Sequence, residues 1–233
     1  MKTRVKKTGS PVQAQEPAAM KERAQEPKAA ADRAEGESAV PAKLAVTLTQ
    51  RTKGPTIAFD GTLYTIDKWT ILRLPQEASE RLPSRGQVAV QGTINGHEFQ
   101  TVLEPDGHSG HWMRVDEKLQ QTAGISAGDT ATLEIATRDW PEPSVPQDLE
   151  TALAAAAQKI QDLWKDITPM ARWEWVRWVN ATKSRDTRKR RVEVSISKMN
   201  SGKRRPCCFD LAACTDPELS RNGTLLEAAQ VSN

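Results

Sequence analysis

The sequence predicts an α+β protein. A small split or closed β-barrel of about six short strands is followed by a C-terminal three-helix unit and preceded by a disordered arm. Three observations lead there. Between residues 55 and 138, apolar side chains alternate with period two in short runs separated by Gly, Pro and Asn-Gly. From residue 148 the apolar spacing becomes that of a helix. Residues 1–43 are rich in Ala, Pro, Glu, Lys and Gln, with Val5, Val12 and Val40 nearly the only branched aliphatics. Such a stretch buries too little apolar area to offset its ordering entropy.

The barrel elements follow in order. Ile57, Phe59, Gly61 and Leu63 alternate with Thr56, Ala58, Asp60 and Thr62. Residues 69–74 continue the pattern up to Pro75, and proline is tolerated in the first turn of the short helix expected over 76–82. Residues 86–94 alternate again. Asn95-Gly96 then predicts a two-residue hairpin, because a type I′ turn needs positive φ at both central positions. Its return strand runs over 97–103, a further strand over 111–115, a brief helix over 116–123, and a last strand over 130–136. Many short strands with turns between them fit a small barrel.

Pro141, Pro143 and Pro146 mark 139–147 as a linker. Beyond it, Leu149, Leu153, Ala156, Ile160, Leu163, Trp164 and Ile167 form one stripe, which predicts a single helix over 148–167. Thr168-Pro169 is an N-cap followed by proline at N1, opening a second helix over 169–182. Ser184 caps a third over 185–200, with Val192, Ile196 and Met199 inward and Gly202 as the stop. A unit this small is marginal alone and is expected to pack on the barrel or on a partner. The predicted division is therefore a disordered arm (1–43), a barrel domain (44–138), a linker (139–147), a helical domain (148–205) and a mostly irregular, cysteine-containing tail (206–233).

The order of motifs resembles known families. Thr93-Ile94-Asn95-Gly96, then Asp106-Gly107-His108, then residues 123–130 (Ala-Gly-Ile-Ser-Ala-Gly-Asp-Thr) resemble a bacterial domain of unknown function with an AbrB-like split β-barrel. Val145-Pro146-Gln147-Asp148-Leu149 with Ala152-Leu153, Trp178-Val179, Thr187-Arg188 and Arg190-Arg191-Val192 resemble the YdeI/OmpD-associated, or bacteriocin-protection, domain. The resemblance implies a fold and a protective, stress-related setting. It implies no catalytic residues, and the link from an AbrB-like barrel to DNA binding is analogy of fold alone.

Charge supplies the functional expectation. The net charge of +3 is uneven: residues 44–150 sum to −6 and residues 151–233 to +6. Ten Lys and Arg fall within 183–205, against Asp186 and Glu193. Lys183, Arg185, Arg188, Lys189 and Arg191, with Trp173 as the tryptophan expected to be most exposed, form the candidate surface for an acidic partner or polyanion, nucleic acid included. Against this stands a structural role, in which Arg188 and Arg191 tie the helix to carboxylates such as Asp129 or Asp148. Trp175 and Trp178 are expected in the core.

Other chemistry is less supported. His97, His108 and His111 could ligate zinc, but no nearby cysteine completes a set, so no metal and no cofactor are expected. Cys207, Cys208 and Cys214 contain no Cys-x-x-Cys pair and fit a reducing compartment. The basic N-terminus lacks an apolar segment behind it, and no run approaches the roughly 18 apolar residues of a membrane span. The sequence thus predicts a cytoplasmic, non-enzymatic binding protein. A DNA-binding regulator is the runner-up reading, and a metal-dependent enzyme using the three histidines is the third.

Overall fold

The computed structural model describes residues 54–207 and 210–227. The expected arm over 1–43, the start of the barrel domain over 44–53, and Cys208 lie outside the described residues.

Six strands close into a barrel: β1 (Ile57–Ile66), β2 (Trp69–Arg73), β3 (Val88–Ile94), β4 (His97–Pro105), β5 (His111–Arg114) and β6 (Thr130–Thr137). Around the barrel the order is β1-β2-β5-β4-β3-β6, and every neighbouring pair is antiparallel. Closure removes the unpaired edges that an open sheet would present. Two short helices, α1 (Gln76–Glu80) and α2 (Glu117–Ala123), cover its ends. Asn95 and Gly96 adopt φ of 47° and 81°, the turn the dipeptide predicts.

Alternation fills the barrel interior. Ile57, Leu63, Leu72, Val90, Ile94, Leu103, Leu133 and Ile135 share one core. Where β3 crosses β6, Gly92 lies so close that a Cβ there would stand 1.8 Å from the Glu134 carbonyl oxygen. No other residue fits that approach.

The helical part departs from expectation in one respect. The expected helix over 148–167 is two helices, α3 (Gln147–Ala154) and α4 (Gln158–Asp166), so the unit has four helices rather than three. The chain turns at 155–157, and the Gln161 amide donates to the carbonyls of Ala154 (3.1 Å) and Ala156 (3.0 Å). That side chain satisfies acceptors which a continuous helix would have bonded internally. Leu149, Leu153, Ile160 and Ile167 still face one core. They meet Ala171, Trp175 and Val179 of α5 (Pro169–Asn180) and Val192 and Met199 of α6 (Arg185–Asn200). Thr168 and Ser184 cap α5 and α6 as expected, accepting from Ala171 and Thr187. Gly202, at φ 76°, ends α6.

The segment after Gly202, expected to be mostly irregular, instead carries a hairpin against the barrel. β7 (Ser220–Arg221) and β8 (Thr224–Leu225) pair across Asn222-Gly223, whose φ values of 55° and 81° form a second turn of the Asn-Gly kind. Cys214, Leu219 and Leu225 pack on Ile66, Ile71 and Trp112, which point outward from the barrel. Gly107 permits this seat, because a Cβ there would lie 2.2 Å from the Gly223 carbonyl oxygen. Leu219 is fully buried, so Leu219→Ala should cost about 2–5 kcal/mol in urea unfolding, the usual range for a buried leucine. A loss below about 1 kcal/mol would mean that the hairpin contributes little to the fold.

Candidate functional site

The charged stretch over 183–205 separates into two groups once folded. Arg188 reaches Asp148 of α3 through two hydrogen bonds, 2.6 Å from Nε and 2.9 Å from Nη2, and its Nη1 donates to Asn180 at 2.9 Å. The guanidinium holds the Asp148 carboxyl below its usual range. Arg191 donates to the Trp178 carbonyl at 2.8 Å and lies over the Trp178 ring. Arg204 pairs with Asp166 and Arg205 with buried Glu174. Arg188 and Arg191 tie α6 to α3 and α5, and Arg204 and Arg205 tie the segment after α6 to α4 and α5. Lys183, Arg185, Lys189 and Arg190 are exposed and form no ion pair among the described residues. They surround the first turns of α6, and Asp186 and Glu193 are exposed on the same helix. A shallow groove beside them is lined by Asp148, Arg185, Arg188, Lys189, Val192 and Glu193.

Trp173 is not an open surface residue. It is half-buried, donates its indole N–H to the Pro141 carbonyl at 2.8 Å, and packs against Trp140 of the linker. Trp175 is fully buried and Trp178 half-buried beside it.

The histidines do not converge. His97 begins β4 and pairs with Ile94, whereas His111 pairs with Pro105 at the other end of the same strand. Eight residues of strand separate the two positions by roughly 26 Å. His111 is fully buried, with Nε2 3.0 Å from the Gly86 carbonyl oxygen, and burial pushes its pKa down, keeping the ring neutral. Among the described residues no group of three His, Cys, Asp or Glu side chains is placed to hold a metal. Cys214 is buried and its thiol is pushed up to about 11 by desolvation, so it is a packed thiol and not a nucleophile.

Sequence reasoning did not single out one further feature. A cleft of about 280 Å³ lies between α5 and the outer barrel wall. One stripe of α5 faces it, with Trp173, Val176, Arg177 and Asn180 at i, i+3, i+4 and i+7. Opposite stand Thr101 and Glu104 of β4 with Trp112 and Arg114 of β5, and Asp216 and Pro217 close the end. The Arg177 side chain is only 5% exposed. Its guanidinium approaches Glu104 at 3.3 Å and donates to the carbonyls of Leu211 and Ala213. Glu104 also accepts from Gln87 at 2.6 Å. Arg114 pairs with Asp216 and lies 3.7 Å from the Trp69 ring centroid. Burial raises the Glu104 pKa and lowers that of Arg177, since each charge has left water. The i, i+3, i+4 placement of Arg177 among apolar residues was the available signal; a cation on the buried stripe of a helix needs a specific partner.

A closed antiparallel barrel joined to an α-helical unit, with a charged cleft between them, defines an α+β class. Residues 57–135 match the family model described as a domain of unknown function, DUF1905, and residues 142–202 match the one described as bacteriocin-protection, YdeI or OmpD-associated. The chain thus carries a DUF1905 match followed directly by a YdeI/OmpD-associated match, each over its own stretch. Among curated proteins, none matches the chain. The family description is consistent with a bacteriocin-protection or stress-related role. Among the described residues no helix is long and apolar enough to cross a membrane.

The Glu104 environment has a pH consequence. Because its folded pKa lies above 4.5, the native state keeps a proton that the unfolded chain releases. Stability should therefore fall as pH rises from about 4.5 toward the folded value. Relative to Glu104→Gln, wild-type unfolding free energy should decline over that window in urea titrations. A constant difference would show that Glu104 titrates as in water.

Proposed function

We propose that the protein acts by binding, without catalysis, in the protective or stress-related setting of the family it matches, and that the start of α6 meets an acidic protein surface. The observation that carries this is the division of the arginines: Arg188 and Arg191 anchor α6, while Lys183, Arg185, Lys189 and Arg190 remain exposed on it. An anchored helix presents its cations with little further ordering cost, which favours binding. Asp186 and Glu193 interrupt the positive face. A partner with discrete carboxylates fits that alternation better than an unbroken phosphate track, which favours an acidic protein over duplex DNA. The anchoring residues Arg188 and Arg191 then belong to the support of the surface and not to its contact points, and Trp173 lies away from it, against Trp140 and Pro141.

Binding to poly-glutamate and to a short DNA duplex, each titrated with salt, tests the reading. The wild-type chain should retain poly-glutamate at low salt, and the Arg185→Glu/Lys189→Glu double variant should bind about tenfold more weakly, as the loss of a few exposed ion pairs implies. Tighter binding of the duplex, with the same loss in the variant, would transfer the function to the DNA-binding alternative. Retention of neither probe at low salt would remove the basic face from consideration.

A further inference from the structure

The cleft between α5 and the barrel is the second place where the molecule gathers chemistry, and it is independent of the exposed face of α6. Its four charged side chains, Glu104, Arg114, Arg177 and Asp216, are two of each sign, so its formal charge is balanced. A ligand with net charge would enter a partly desolvated space without a counter-charge. A ligand carrying one charge of each sign would not. The walls between the charges are apolar and partly aromatic: Trp112, Trp173, Val176 and Pro217. Apolar walls with a few convergent polar groups, at a junction between domains, are the usual composition of a small-molecule site.

The placement of the charges narrows the ligand further. Glu104 is the register partner of Trp112, and Arg114 lies two residues beyond Trp112 on the same strand. Glu104 and Arg114 are therefore diagonal neighbours on one outer face, about 7–8 Å apart at the backbone, within reach of a single small molecule. Arg114 gives Nη2 to Asp216, and neither its Nη1 nor its Nε makes a hydrogen bond among the described residues. A carboxylate can meet that edge. The Glu104 carboxylate accepts one hydrogen bond from Gln87 and faces Arg177, so it retains lone pairs for an ammonium group. Arg177 is held by the Leu211 and Ala213 carbonyls and keeps Glu104 in place.

We infer that this cleft binds a small zwitterion of the α-amino-acid type with an apolar or aromatic side chain: its ammonium group on Glu104, its carboxylate on Arg114, and its side chain against Trp112, Trp173 and Val176. Nothing in this assignment depends on the partner of α6, and its probes do not engage that surface.

Calorimetry on the full chain with L-tryptophan and L-phenylalanine, each up to about 10 mM, reads the site directly, because a Kd of about 1 mM would then be well saturated. Tryptamine, which lacks the carboxylate, and indole-3-propionate, which lacks the ammonium, are the controls. The expected result is binding of at least one zwitterion and about tenfold weaker binding of both controls. Val102→Trp, which fills the cleft from a half-buried position on the same outer face of β4 as Glu104, and Arg114→Met should each abolish the signal, whereas Lys159→Ala, exposed on α4, should leave it unchanged. No heat with either amino acid overturns the assignment, and so does equal binding of tryptamine or indole-3-propionate. The wild-type comparison stands even if a cleft variant fails to fold.

Discussion

Arg177 is the residue on which the arrangement of the described chain turns. It sits on the inner stripe of α5, almost wholly out of water, and its guanidinium meets two other parts of the chain. The Glu104 carboxylate comes from the barrel, and the carbonyls of Leu211 and Ala213 come from the segment after α6. A planar cation with five donors can serve such a junction, whereas an ammonium on a flexible stem would leave acceptors at poor angles. Removing water from the charge is costly, and the surrounding acceptors offset that cost only while all of them stay in position. The burial of Arg177 is therefore a constraint on geometry more than a source of stability. It sets how α5 faces β4, and so creates the cleft between them.

The uneven charge of the chain finds its explanation in pairs of this kind. Glu104, Glu142 and Asp148 belong to the acidic stretch, and their partners Arg177, Arg172 and Arg188 belong to the basic one. The traffic also runs the other way. Asp216 and Glu218, near the C-terminal end, meet Arg114 and Lys68 on the barrel. Several of these pairs are partly exposed and contribute modestly one by one. Their joint effect is to select one register of helices, barrel and C-terminal hairpin. What remains after this pairing is Lys183, Arg185, Lys189 and Arg190 at the start of α6 and Lys203 beyond its end, fewer than the ten in the linear stretch.

Much of the fold was legible from local chemistry. Period-two alternation located most of the barrel strands, and Asn95-Gly96 located a hairpin, because both depend on neighbours within a few residues. Thr168-Pro169, Ser184 and Gly202 marked helix ends for the same reason. Two further signals were present and not used. Ile71 and Leu72 are adjacent and both apolar, as are Trp112 and Met113; a strand apolar on both faces is covered on both. Asn222-Gly223 carries the same turn chemistry as Asn95-Gly96, and with those outward apolar residues it implies a hairpin packed on the barrel. The break between α3 and α4 was not legible. Residues 155–157 are alanines, the best helix formers, and the turn depends on Gln161 reaching back to carbonyls it meets only after the chain has bent.

The candidate sites divide along the same line. From the sequence alone come the barrel, the helical unit, the cap residues and the existence of a cation-rich helix, since periodicity and turn chemistry act over a few bonds. Only the tertiary structure decides which arginines are spent inside the molecule and which face outward. It alone sets Glu104 beside Arg177 and Arg114, and it alone sets His111 of β5 against the end of β4 opposite to His97. The reason is that a charge is valued by what lies across from it, and what lies across is a residue distant in the chain.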